Sequence, residues 1–227
     1  MTSQLRVTNG QYRTFSFVPL AAFTAVFSAL LMPLGMTTAS GQAIVEVQED
    51  WELVIGTPDL NTAAPQVTCI ISPGADLMDL HAALELNQQT WPHYTPGGVQ
   101  LHAWDGEYLL ESERYPSDAV LGTAGETITW TMRMAMDGTD VIFDVDDAVS
   151  STWGNFGANG ELWIRRTAPS ENLNHYSPEV SVQNSAIGYA GNRVQSLTLK
   201  EVRYWRRNSD GTIATFTDST PRVVHQQ

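Results

Sequence analysis

Nine residues constrain this chain more than any others. In Ile128-Thr129-Trp130-Thr131-Met132-Arg133-Met134-Ala135-Met136, every even position is apolar and large. The odd positions carry Thr129, Thr131, Arg133 and Ala135. A period of two sustained this long describes a β-strand with one buried side, because successive side chains leave a strand on opposite faces. Asp137-Gly138-Thr139 follows with turn chemistry, and Val141, Phe143 and Val145 resume the alternation as a second strand.

The same rhythm recurs along the chain. Val45–Ile55 runs to Gly56-Thr57-Pro58, and Gln66–Ser72 lies between Pro65 and Pro73-Gly74. Val99–Trp104 alternates up to Asp105-Gly106, and Tyr108–Glu113, Leu162–Arg165 and Ile213–Phe216 are further strands. Leu77–Asn87 fits a strand through Leu80, Ala82, Leu84 and Leu86, although Leu77, Leu80 and Leu84 also suit a helix. In Val194–Trp205 the apolar parity changes between Leu199 and Val202, which a β-bulge near Lys200-Glu201 reconciles. Asn208-Ser209-Asp210-Gly211 reads as a hairpin loop. Ten to twelve short strands with Gly/Pro punctuation predict an all-β fold: a two-sheet antiparallel jelly-roll sandwich over residues 44–227.

The first 43 residues are different. Arg6 and Arg13 precede an uncharged stretch from Phe15 to Met36, and small residues follow at Ala39-Ser40-Gly41-Gln42-Ala43. This order describes a secretory signal peptide, residues 1–43, cleaved after Ala43 or after Gly41. An uncleaved anchor is the alternative, and it is the only membrane contact the sequence predicts. Either outcome places the domain outside the cytoplasmic membrane, secreted or in the cell envelope. Without the leader, 184 residues carry 10 basic and 25 acidic side chains. That balance argues against nucleic acid as a partner, since phosphate binding needs a positive surface. The charge is also segregated: residues 44–160 hold 19 acids and two bases, residues 161–227 six acids and eight bases. Cys69, the sole cysteine, shares parity with Val67 and Ile71 and reads as a buried, inert thiol.

Several segments resemble the concanavalin A-like lectin/glucanase superfamily, in particular its laminin G-like members. Phe143-Asp144-Val145-Asp146-Asp147-Ala148-Val149 is similar to that family's hairpin, with Asp146-Asp147 in the turn. The strand bearing Trp130 and the run from Gly191 through Leu199 to Val202 and Tyr204 are similar too, so the likeness covers about residues 126–206. The resemblance implies two antiparallel sheets packed face to face, with the terminal strands close together. It does not choose among lectin, hydrolase, lyase and adhesion module.

The superfamily's hydrolases commonly carry Glu-x-Asp-x-x-Glu on one strand, and that pattern is absent; Glu111 and Glu113, on one face, come nearest and are the catalytic candidates if the chain is an enzyme. Gln100-Leu101-His102 is similar to a short alginate-lyase motif but lacks its companion strands. Five histidines occur in no zinc-binding spacing, and no Gly-x-Ser-x-Gly is present. Calcium is the one cofactor with a candidate site: Asp137, Asp140, Asp144, Asp146 and Asp147 fall within eleven residues, although these residues also suit turns and a solvated face. Aromatics for stacking on a sugar are Trp91, Tyr94, Trp104 and Trp153, with His102 beside Trp104. Trp91 and Tyr94 sit in a Pro-rich loop, and Trp104 has the parity opposite to Val99, Leu101 and Ala103. The expectation is an exported, non-catalytic module that binds a glycan or a surface protein. The rivals are a polysaccharide-cleaving enzyme and an adhesion module contacting protein alone.

Overall fold

The protein is described by a computed structural model, which covers residues 42–57, 65–87, 98–121 and 123–227. Among the described residues twelve strands form in chain order: β1 (Ala43–Ile55), β2 (Gln66–Ile71), β3 (Leu80–Leu86), β4 (Val99–Asp105), β5 (Tyr108–Arg114), β6 (Thr127–Asp137), β7 (Asp140–Val149), β8 (Trp163–Thr167), β9 (Ala186–Tyr189), β10 (Val194–Arg207), β11 (Ile213–Asp218) and β12 (Arg222–Gln226). An α-helix, α1 (Pro178–Asn184), precedes β9, and a short 3-10 turn (Gly191–Arg193) follows it.

The strands make two antiparallel sheets that form a sandwich. The larger has seven strands in the order β11-β10-β1-β6-β7-β8, with β12 also on β10; the smaller has five, β5-β4-β3-β2-β9. β10 is long enough to hold β11 along Val202–Arg207 and β12 along Ser196–Leu199 on the side away from β1. The terminal strands are therefore close, since β1 runs antiparallel to β10 from Ala43–Arg207 to Ile55–Val194.

The alternation that defines β6 is the inner lining of the larger sheet. Ile128, Trp130, Met132 and Met134 are buried, and Met136 is partly buried against the same core. Trp130 pairs across the ladder with Trp51 of β1, and the two indoles stack at 6.4 Å between centroids with 5° between planes. Val141, Phe143 and Val145 of β7 continue this floor. Facing them are Val67, Cys69 and Ile71 of β2, Ala82, Leu84 and Leu86 of β3, and Val99, Leu101 and Ala103 of β4. Aromatic rings of this size bury enough apolar area to dominate the core's energetics.

Turn and bulge positions follow from local chemistry. Asp137 pairs with Asp140, so Gly138-Thr139 is a two-residue hairpin turn, and Gly138 takes the positive φ of 67° that such turns need. The ladder steps from Asp50–Glu201 to Trp51–Leu199, which leaves Lys200 as the extra residue of a β-bulge, where the parity change required one. Leu80–Leu86 is a strand, resolving the helix alternative.

Two expectations are corrected. Asp146-Asp147 is not a hairpin turn: β7 continues to Val149, and the pairing jumps from Thr131–Asp146 to Thr129–Val149. Asp147, at φ 50°, is the inserted residue of a bulge that bends the strand. The segment Pro178–Asn184, given no element from sequence, is helical. Pro178 at its first position has a preset φ, Ser177 before it stays extended, and Val182 packs against the core.

Candidate functional site

A groove of about 770 Å³ opens at one end of the five-stranded sheet. Three segments wall it: the β2–β3 loop through Ala75, Asp76, Leu77 and Met78; the β4–β5 turn through Asp105, Gly106, Glu107 and Tyr108; and α1 through Val180, Gln183 and Asn184. His81, at the start of β3, completes the lining.

Each wall is fixed by local bonding. In the β2–β3 loop, Ser72 Oγ donates to the Asp76 carbonyl (2.8 Å) and accepts from Gly74 N (3.1 Å), while Met78 N donates to Asp76 Oδ1 (3.0 Å). These bonds hold the loop so that Met78 stands 77% exposed. The β4–β5 turn rests on this loop. Gly106 N donates to the Asp79 carbonyl, and a Cβ at Gly106 would come within 3.1 Å of the Met78 carbonyl oxygen. Only glycine permits both that approach and the positive φ of 55°. Tyr108, next along, is 78% exposed, and Leu109 and Leu110 beside it are also exposed. His81 is buried, and its Nδ1 donates to the Asp79 carbonyl (3.0 Å), since a carbonyl can only accept.

The third wall is held from inside the core. Glu49 of β1 shares the inward parity of Val47, Trp51, Leu53 and Ile55 and is 0% exposed. Its Oε1 accepts from Tyr176 Oη (2.7 Å) and from Ser181 Oγ of α1, and its Oε2 accepts from Trp51 Nε1 (3.0 Å). Burial pushes the carboxyl up to about 7, against the pull of these three donors and of the more distant Arg222 charge. A second bond seats the helix end, from Ile70 N of β2 to Ser185 Oγ (2.9 Å). Arg222 of β12 ties α1 from outside through Glu179 (2.9 Å) and also holds Asp218 (2.6 Å). Cys69 is buried near Glu49 and Glu85, and burial holds its thiol well above the ordinary range, so it stays un-ionised.

The residues singled out from sequence fall into three groups. Trp91 and Tyr94 lie outside the described residues. His102 and Trp104 lie together on the outer face of the smaller sheet, ring centroids 6.2 Å apart, and Trp104 pairs across the ladder with His81 of the groove. His102 is buried, which lowers its pKa and keeps the ring neutral. Trp153, by contrast, is a core residue at 4% exposure. Its indole donates to the Ala119 carbonyl (2.7 Å), and its ring meets Phe156 edge-on at 6.0 Å, so it has no free face for a sugar.

Glu111 and Glu113 share one parity on the edge strand β5, and Glu111 is in an ion pair with Arg166 of β8 (2.6 Å). The five aspartates do not converge. Arg165 takes Asp137 (2.7 Å) and Asp140 (2.8 Å), whereas Arg133 takes Asp144 (2.6 Å). Asp140 and Asp144 are four residues apart on one strand, roughly 13 Å, too far for one ion with oxygen ligands at about 2.4 Å. Among the described residues no three His, Cys, Asp or Glu side chains are grouped to hold a metal. Asp144 is nonetheless raised to about 6, because burial outweighs its bond to Arg133 and because Asp146 and Glu46 lie close. Arg133 itself is pushed the other way, toward holding its charge, chiefly by Glu46, to which it makes two contacts (2.9 and 3.3 Å). The guanidinium thus favours Glu46 and only partly compensates Asp144.

Sequence reasoning did not find Tyr108, Asp105, Met78 or the Glu49 cluster as features of a site. For Glu49 a signal was present: a carboxylate on the apolar parity of an alternating strand.

No protein-family model matches the chain, and no curated protein matches it. Among solved structures, the chain is distantly similar to a scytalido-glutamic peptidase crystallised with a transition state analog inhibitor. That match has 13% sequence identity over 77% of this chain and 81% of the other, with a TM-score of 0.26.

Proposed function

We propose that the chain is an exported, non-catalytic binding module of the concanavalin A-like type, and that it takes a glycan in the groove beside Tyr108. The observation that carries this reading is the pairing of a 78%-exposed tyrosine with three carboxylates, Asp76, Asp105 and Glu107, around one cavity. A pyranose presents an apolar face and a rim of hydroxyls. It stacks on an aromatic ring while its hydroxyls donate to carboxylates and backbone carbonyls. The groove has both parts on a rigid support, since the glycine turn and the bonded β2–β3 loop fix the walls before any ligand arrives. Trp104, partly exposed and paired across the ladder with His81, adds an aromatic ring on the outer face of the same sheet. The leader-like first 43 residues and the two antiparallel sheets with β1 against β10 support the export and family parts of the reading.

The test is a glycan array probed with the mature protein, repeated with Tyr108→Ala and with Trp104→Ala. Binding that falls at least tenfold in Tyr108→Ala supports the groove. Binding unchanged by Tyr108→Ala and lost in Trp104→Ala moves the site to the sheet face. Release of reducing ends from a bound polysaccharide would replace the binding module with a hydrolase.

A further inference from the structure

The charge of the groove is one-sided. Of its twelve lining residues three are acids, and none is lysine or arginine. This is notable because most acids elsewhere on the described surface have a basic partner: Asp50 has Arg203, Glu52 has Lys200, Glu111 has Arg166, and Asp137 and Asp140 share Arg165. The sequence places the nearest groove acids, Asp105 and Glu107, on the two sides of Gly106, directly before the exposed Tyr108 ring. Asp76 lines the groove from the β2–β3 loop, and the buried imidazole of His81, its Nδ1 bonded to the Asp79 carbonyl, completes the lining.

Resting on the glycan reading above, we infer that the groove selects amino sugars with a free, protonated amine over neutral or acidic sugars. An ammonium group seated there is attracted by three carboxylates and by the face of Tyr108, which gives a cation a second source of attraction. An N-acetylated sugar offers a neutral amide and keeps only the stacking and hydroxyl contacts. A uronate or sulfated sugar meets the same three carboxylates as like charges and is repelled. The chain's net charge of −13 adds to both effects at long range.

The experiment compares four probes by titration calorimetry on the mature protein: a β-linked glucosamine hexamer, its fully N-acetylated counterpart, oligogalacturonate and a lysine-rich peptide. It uses low salt and then about 1 M salt, where charges are screened within roughly 3 Å. The expected result is glucosamine hexamer binding at least tenfold tighter than the acetylated form, with oligogalacturonate not bound. The preference should shrink to about twofold in high salt and in an Asp105→Asn/Glu107→Gln variant. Both side chains are exposed, so the variant keeps its fold, and an unchanged thermal midpoint checks this. Equal binding of the two hexamers overturns the amine selectivity and leaves the glycan reading intact. Binding of a lysine-rich peptide with neither hexamer bound overturns both, in favour of a basic protein partner. No binding of any probe overturns both as well.

Discussion

Glu49 makes the fold's stability depend on pH in a direction opposite to that of most carboxylates. Its ordinary value of 4.5 is raised to about 7 in the folded protein by burial. Between those values the folded state keeps a proton that the unfolded chain has released, so stability must fall as pH rises. The contribution is complete below about pH 4.5 and is lost once pH passes 7. A displacement of this size corresponds to about 3 kcal/mol. Glu49→Gln isolates the effect, because the geometry suits an amide. Both hydroxyl donors, Tyr176 and Ser181, sit on Oε1, and Trp51 sits on Oε2. A glutamine nitrogen at the first position donates to the two hydroxyls, which can accept, and its oxygen at the second position accepts from the indole. The hydrogen bonds survive while the titration disappears. Urea unfolding from pH 4 to 8 on both proteins gives the comparison, since Asp144, raised to about 6 by burial, titrates alike in each and cancels in the difference. The variant should gain about 3 kcal/mol on the wild type between pH 4.5 and 8. A difference that stays flat across that range, or that changes sign, would refute the buried-carboxyl account.

Other substitutions test separate parts of the molecule. Trp130→Ala, which empties one half of the stacked indole pair, should cost about 3–5 kcal/mol in a denaturant titration; a loss under about 1 kcal/mol would mean the pair is not central to the core. Gly157 has φ 85°, and a Cβ there would press into the Val145 carbonyl oxygen, a backbone atom that cannot yield. Gly157→Ala should therefore destabilise by roughly 2–3 kcal/mol, read as a lower melting midpoint. Glu126 is buried, yet its pKa is lowered, because bonds from Ser150 Oγ (2.6 Å) and from Thr152 Oγ1 (2.6 Å) and N (3.0 Å) outweigh the cost of burial. Glu126→Ala should cost about 2 kcal/mol and loosen the loop that carries Trp153, seen as a red shift in tryptophan emission. Finally, cleavage of the leader-like segment after Ala43 predicts that N-terminal sequencing of secreted protein begins at Ile44; a start upstream of Thr37 would rule cleavage out.

The strands were legible where one face is buried and the other wet. Ile128–Met136 and Val99–Trp104 carry that contrast, and even the bulge at Lys200 shows as a change of parity. What escaped has physical causes. α1 is two turns long and owes its helix to Glu49 and β2, which lie over a hundred residues away in sequence for both bonds, so no local pattern announces it. The Asp146-Asp147 step looks like a turn because aspartate tolerates positive φ, and a bulge uses the same tolerance. Trp153 looked available because it stands among Ser, Thr, Gly and Asn, and only the packing of Phe156 shows otherwise. The groove joins residues from 75 to 184, and nothing in the spacing of Asp76, Asp105 and Asn184 shows them to be neighbours.

The place of β10 has a consequence for how this protein matures. That strand lies between β1 and the β11–β12 edge, so the first strand made has no neighbour on one side until the last quarter of the chain is present. The acids crowded into residues 44–160 likewise find many of their counterions, Arg165, Arg166, Lys200 and Arg203, only when that late portion arrives. A chain that lacks this portion is thus both unzipped and self-repelling. Completion of the C-terminal hairpin is the event that lets it close.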